Sequence, residues 1–172
     1  IGARTIASFG ANNSELFDDG AAQTRQFARQ FAKQELLREE DGVAIADRVH
    51  RDDLLVPEAW IKQFSELGFF GSSVPDEFGG TEMGYLTMIV LTEELSAGSL
   101  IAGSLLTRSE ILTRAILEGG TDEQKRAWLP KLASGEVLVG ISVTEPDVGS
   151  DVASVQCKAT PGERGGRPGW LL

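Results

Sequence analysis

The feature that most constrains this fold is a change of period. Across residues 23–134 apolar side chains recur every three or four positions, whereas from residue 137 onward apolar runs are short, β-branched or alternating. The first spacing lines up side chains on one face of a helix, the second on one face of a strand. The chain therefore reads as α+β: an all-α helical domain over residues 21–136, then the start of a β-barrel or β-sandwich domain over 137–172. Its 172 residues suffice for about one domain with a substantial core.

Five helices are expected. In the first, Phe27 and Phe31 with Ala28 and Ala32 pair at i,i+4, and the charged run over 33–41 should carry the helix toward Gly42. A second starts at Pro57, sets Trp60, Phe64 and Leu67 on one side, and stops at Gly68. The segment Val74-Pro75-Asp76-Glu77-Phe78-Gly79-Gly80 is a connection whose glycines can take positive φ. Met88, Leu91 and Leu95 form the stripe of a third helix, with Glu93 and Glu94 off the apolar line on a solvated or ion-paired face. Ile101, Leu105, Leu112 and Ile116 mark a fourth, mostly buried. Thr121 with Gln124 three residues later forms a capping box that opens the fifth, closed near Gly135.

After that, residues 137–143 and 152–160 read as strands, and 161–169, with four glycines and two prolines, as a hairpin-like or longer loop. Residues 1–20, rich in Gly, Ala, Asn and Ser, read as a linker or the end of an upstream segment. The chain starts at Ile1 and stops within an apolar run, so a fragment of a larger protein is expected.

Charge and composition narrow the functions. With 26 acidic against 16 basic side chains the net charge is -10, which opposes binding to a nucleic-acid backbone. Cys157 is the sole cysteine, so no internal disulfide forms, and a reducing compartment fits. No apolar run is long enough to span a bilayer. His50 stands alone in a charged stretch and no Cys/His cluster has ligand spacing, so no metal site is expected. Neither a GxSxG elbow, a P-loop nor a GxGxxG motif occurs, and Gly79-Gly80 lacks the strand and Lys/Ser pair of a phosphate loop.

The remaining candidate is Ser142-Val143-Thr144-Glu145-Pro146-Asp147-Val148-Gly149-Ser150-Asp151, at the end of the first expected strand. Its composition is that of a wide turn. The alternative is that it presents backbone amides and the Thr144 and Ser150 hydroxyls to an anionic or heteroaromatic ligand, with Gly149 allowing close approach.

Four motifs in order carry a resemblance: Val74-Pro75-Asp76-Glu77-Phe78-Gly79-Gly80; Glu93-Glu94-Leu95; Gly120-Thr121-Asp122-Glu123-Gln124-Lys125 with Trp128-Leu129-Pro130; and Val143-Thr144-Glu145-Pro146-Asp147-Val148-Gly149-Ser150-Asp151. Together they resemble the FAD-dependent acyl-CoA dehydrogenase family, over about residues 23–172. The resemblance implies an α-β-α protein that oxidises an acyl-CoA thioester to the enoyl-CoA. It implies FAD contacts from Ile141, Ser142, Val143, Thr144, Gly149 and Ser150: backbone at Ile141 and Val143 and the Thr144 hydroxyl toward the isoalloxazine, Ser150 toward the pyrophosphate and the thioester arm. Ile141 stands where many members carry an aromatic residue, so a backbone contact carries over and ring stacking does not.

The family's catalytic glutamate lies in a C-terminal helical domain outside this chain, so no catalytic residue is assigned here, and Glu93, Glu94 and Glu145 do not replace it. The acyl tail would be lined by Gly103, Thr107 and Arg108. For Arg108 and Glu110 the simpler account is an ion pair on a polar helix face; the sharper one is a cation held for a polar acyl group. The sequence is similar to the methylsuccinyl-CoA dehydrogenase branch, which implies a short branched or dicarboxylic acyl-CoA. An electron-transfer flavoprotein partner, a homodimer or homotetramer, and a bacterial cytoplasm or mitochondrial matrix follow from the same resemblance. An acyl-CoA oxidase-like flavoenzyme and a non-catalytic helical interaction module are the alternatives.

Overall fold

The computed structural model describes residues 19–172. The expected linker over 1–20 thus lies outside the described residues, apart from its last two positions, which belong to the first helix. The described residues form two units, one ending at Val139 and the other running from Gly140 to Leu172.

In the helical unit, α1 (Asp19–Phe31) turns Ala21, Ala28 and Phe31 inward and runs directly into a π-helical turn, Ala32–Leu36, that buries Ala32 and Leu36. The helix does not continue to Gly42 as expected. Asp41 and Gly42 have φ of 55° and 75° and form the two-residue corner of a hairpin between β1 (Glu39–Glu40) and β2 (Val43–Ala44). Asp-Gly accepts two consecutive positive φ angles more readily than other pairs, and this local turn overrides the helix propensity of the charged run. A further helix that the apolar spacing did not announce, α2 (Ile45–Arg51), buries Ala46 and Val49 and leaves His50 exposed.

Helix α3 (Glu58–Glu66) begins beside Pro57 and buries Trp60 and Phe64; Gly68, at φ 70°, ends it. Phe31, Phe64, Phe69 and Phe70 then meet in edge-on and tilted pairs with centroids 5.5 to 6.0 Å apart. Such pairs add about 0.5–1.5 kcal/mol each beyond their buried area, so this ring cluster is the centre of the larger core.

The loop before the next helix turns at Gly79, with φ 81°, while a Cβ on Gly80 would lie 1.8 Å from the Val74 carbonyl oxygen. One glycine supplies a torsion and the other supplies room. Helices α4 (Gly84–Gly98) and α5 (Leu100–Gly119) are separated only by the extended Ser99, and α5 folds back so that Gly103 faces Ser96 and the Thr92 carbonyl. Leu91 and Leu95 of the expected stripe are fully buried, together with Val90. Glu94 is buried as well, at 6% exposure. Arg29 makes this possible: its Nε and Nη2 donate to the two Glu94 carboxylate oxygens at 2.8 and 2.6 Å, while Arg25 Nη2 donates to the exposed Glu93 at 2.8 Å. This fork fixes α1 against α4.

Helix α6 (Asp122–Ala133) starts with the expected capping box: the Thr121 hydroxyl accepts from the Gln124 N–H at 3.3 Å, and the Gln124 side chain accepts from the Thr121 N–H at 2.8 Å. Its Leu129, Leu132 and Ala133 pack with Val74 and with Leu112 and Ile116 of α5 in a second apolar cluster.

The strands expected at 137–143, which span the end of the first unit, and at 152–160, in the second, are absent apart from Thr160. Residues 137–144 carry no ladder, Val152–Ser154 is a single 3-10 turn, and pairing begins only at β3 (Thr160–Arg164) with β4 (Arg167–Leu171). A strand needs a neighbour to take its N–H and C=O groups, and among the described residues these stretches have none. The Gly-rich region expected as hairpin-like is a hairpin, turning at Gly165-Gly166 with φ of 59° and 77°.

The described residues thus form a helical domain followed by a few strands at the C-terminal end, an α+β arrangement.

Candidate functional site

The candidate residues fall in different units, and each set is described separately. In the second unit residues 141–144 belong to no helix or strand and are exposed. The chain then turns sharply at Pro146-Asp147, because the Glu145 and Val148 main chains exchange hydrogen bonds at 2.9 and 3.2 Å. The wide-turn reading is therefore right for the centre of the segment. It leaves the flanks free: among the described residues the N–H groups of Ile141, Ser142, Val143 and Thr144, and the hydroxyls of Ser142, Thr144 and Ser150, find no partner within the chain. A Cβ on Gly149 would meet nothing within 4 Å, so the space beside Ser150 is open.

This is a donor-rich surface lined by the exposed Ile141 and Val143 side chains. Ring carbonyls and nitrogens of a flat heteroaromatic group, or pyrophosphate oxygens, are acceptors that such exposed donors can take in place of water, so the residues present fit FAD. The structure gives Glu145 a task that sequence reasoning missed. Its carboxylate accepts the Gln156 N–H at 3.0 Å and the Cys157 N–H at 2.8 Å, eleven and twelve residues downstream. Nothing in the local sequence announces so distant a partner. Further along, the Asp151 carboxylate accepts from the Ser154 hydroxyl at 2.5 Å and closes the 3-10 turn.

In the helical unit Gly103, Thr107 and Arg108 all lie on α5. Gly103 is buried at the crossing with α4, where a Cβ would come 1.9 Å from the Ser96 hydroxyl oxygen. The Thr107 hydroxyl donates to the Ser104 carbonyl at 3.0 Å, one turn back on its own helix. The expected Arg108–Glu110 pair does not form. Glu110 instead accepts from Arg114 Nε at 3.2 Å, one helical turn away, and the Arg114 guanidinium stacks 4.1 Å over the Tyr85 ring. Residues four apart share a helix face and residues two apart do not, which decides between the partners. Among the described residues Arg108 is left half-buried and without an ion-pair partner. The second Glu110 oxygen and the Thr113 hydroxyl are buried on the same helix without hydrogen-bond partners.

Among the described residues, Arg29 and Glu123 have shifted pKa values. The Arg29 guanidinium is held more firmly protonated, chiefly by its hydrogen bonds to Glu94. The Glu123 carboxyl is lowered, first by the main-chain N–H at its own position and then by Thr121 at the start of α6. Both are structural. Among the described residues no group of three or more His, Cys, Asp or Glu side chains is placed to hold a metal.

Comparison with known proteins places these observations. Residues 18–136 match the family model of the acyl-CoA dehydrogenase N-terminal domain. The chain is 42% identical over 153 residues to (2S)-methylsuccinyl-CoA dehydrogenase of Cereibacter sphaeroides, covering 89% of this chain and 26% of that protein. It is 34% identical to the mitochondrial isovaleryl-CoA dehydrogenase of Solanum tuberosum, covering 90% of this chain and 36% of the relative. The crystal structure of glutaryl-CoA dehydrogenase from Mycobacterium smegmatis superposes with a TM-score of 0.72 at 28% identity, covering 87% of this chain and 37% of that one. The chain thus spans only 26% to 36% of the length of these curated relatives.

Proposed function

The chain belongs to the acyl-CoA dehydrogenase family, and we propose that the protein is a flavoenzyme that oxidises an acyl-CoA thioester to its α,β-enoyl product. The observation that carries this reading is the open row of donors from Ile141 to Thr144 together with the Ser150 hydroxyl. When bound, FAD supplies the acceptor for the hydride that leaves the substrate's β carbon. The work of this chain is binding and orientation. The main chain at Ile141 and Val143 and the Thr144 hydroxyl would hold the isoalloxazine edge, and Ser150 the pyrophosphate near the thioester arm. By the same family resemblance the proton-abstracting carboxylate would belong to a C-terminal helical domain; within this chain Glu94 is committed to Arg29 and Glu145 to two main-chain amides, so neither is offered for that role.

The substrate class we propose is a short branched or dicarboxylic acyl-CoA such as methylsuccinyl-CoA, its tail lined by Gly103, Thr107 and Arg108. Two observations support it: Arg108 has no ion-pair partner among the described residues, and methylsuccinyl-CoA is the substrate in the name of a relative 42% identical. A carboxylate entering a largely apolar slot is costly unless a cation meets it, and Arg108 would be that cation. An electron-transfer flavoprotein as acceptor, a homodimeric or homotetrameric assembly, and a bacterial cytoplasm or mitochondrial matrix complete the proposal. Anaerobic addition of methylsuccinyl-CoA and, separately, butyryl-CoA to the full-length protein tests it. Bleaching of the flavin band by methylsuccinyl-CoA is the expected result. Bleaching by butyryl-CoA alone would remove the dicarboxylic substrate, and bleaching by no acyl-CoA would contradict the dehydrogenase reading.

A further inference from the structure

We infer that Glu145 is the positioning residue of the flavin loop, an inference that rests on the reading of residues 141–150 as an FAD site. The loop has few internal restraints. Its main chain is pinned at the Glu145/Val148 turn and again at Val152–Ser154, where the Ser154 and Val155 N–H groups return to Asp151 and Val152. Between these points stand Gly149 and Ser150, and before them Thr144, with no other intrachain hydrogen bond among the described residues.

Glu145 links the two sides. Its main chain forms half of the turn, while its carboxylate oxygens take the consecutive N–H groups of Gln156 and Cys157, one each, at 3.0 and 2.8 Å. A carboxylate holding two adjacent amides fixes direction as well as distance, because both oxygens must stay in the plane the amides define. The segment carrying Ser150 is thereby closed into a ring, with Thr144 immediately outside it. Both oxygens are engaged by main-chain donors, so Glu145 acts through the loop and not as a proton acceptor.

The test is FAD binding by the full-length apoprotein, as wild type, Glu145→Gln and Glu145→Ala. Gln keeps one acceptor oxygen and turns an amide NH2 toward the second N–H; Ala keeps neither. The expected order of affinity is wild type, then Gln, then Ala, with the Ala variant weaker by about tenfold or more. The visible band of residually bound flavin should also shift in the Gln variant, while the circular-dichroism melt of both apoproteins stays at the wild-type temperature. Equal affinities and identical flavin spectra beside an FAD-binding wild type would overturn the role of Glu145 alone. A large drop in the apoprotein melting temperature would also overturn it, by making the residue a general structural support. A wild type that takes up no FAD would overturn both this inference and the reading of the loop on which it rests.

Discussion

At the scale of single residues, Arg108 carries the substrate proposal. Exchange of Arg108 for Met keeps an unbranched, flexible stem and removes the charged guanidinium. It should lower kcat/KM for methylsuccinyl-CoA by about tenfold or more and leave butyryl-CoA within about twofold, since a site built around a polar partner rejects its absence strongly. Equal losses on both substrates, measured by steady-state kinetics, would show that Arg108 serves packing. A second residue-scale test concerns the fork between α1 and α4. Arg29→Met leaves the Glu94 carboxylate buried with, among the described residues, only Arg25 in ion-pair range, at 3.7 Å, whereas Glu94→Gln leaves an Arg29 that is already 55% exposed and can return to water. Denaturant unfolding should therefore find Arg29→Met the more costly of the two, by about 1–2 kcal/mol after solvent screening. The sequence placed Glu94 off the apolar line, and its burial was not legible there because its partner lies 65 residues away. The same holds for Glu145. Thr144 and Ser150, by contrast, could be singled out from one short polar stretch.

At the scale of elements, the starts and stops of helices are local and were legible. Thr121→Ala removes the hydroxyl that caps α6 and should cost about 1 kcal/mol in a thermal or urea melt. The same helix start lowers the Glu123 carboxyl below its ordinary range. A lowered folded-state value means the contribution is present at neutral pH and is lost as pH falls through that value. The difference in melting temperature between wild type and Glu123→Gln should accordingly shrink from pH 7 to pH 3; an unchanged difference would contradict the assignment. In the Gly79-Gly80 loop the two glycines do different work. Gly79→Ala meets only a positive φ and should cost about 1 kcal/mol, whereas Gly80→Ala drives a methyl into the Val74 carbonyl and should cost more. What the sequence missed has a common cause. The hairpin at Asp41-Gly42 was overridden in the reading by the charged run around it, α2 is too short to establish a period, and the strands expected at 137–143 and 152–160 depend on neighbours that periodicity cannot supply.

At the scale of the whole molecule, the helical unit is a self-consistent core: the phenylalanine cluster, the α4–α5 hairpin and the capped α6 each agree with the local sequence that builds them. Among the described residues no helix is long and apolar enough to cross a membrane. The family follows from order and spacing over most of the chain, matched by the family model across residues 18–136. The proposed chemistry is divided differently: on that proposal this chain would offer donors to a cofactor and a cation to a substrate, with the proton acceptor supplied elsewhere. The central claim is that the donors around Thr144 and Ser150 hold a flavin, and the visible absorption spectrum of the purified full-length protein after incubation with FAD and removal of the excess tests it most directly. The expected result is a retained flavin band that Thr144→Val and Ser150→Ala each weaken. A protein that stays colourless would contradict it.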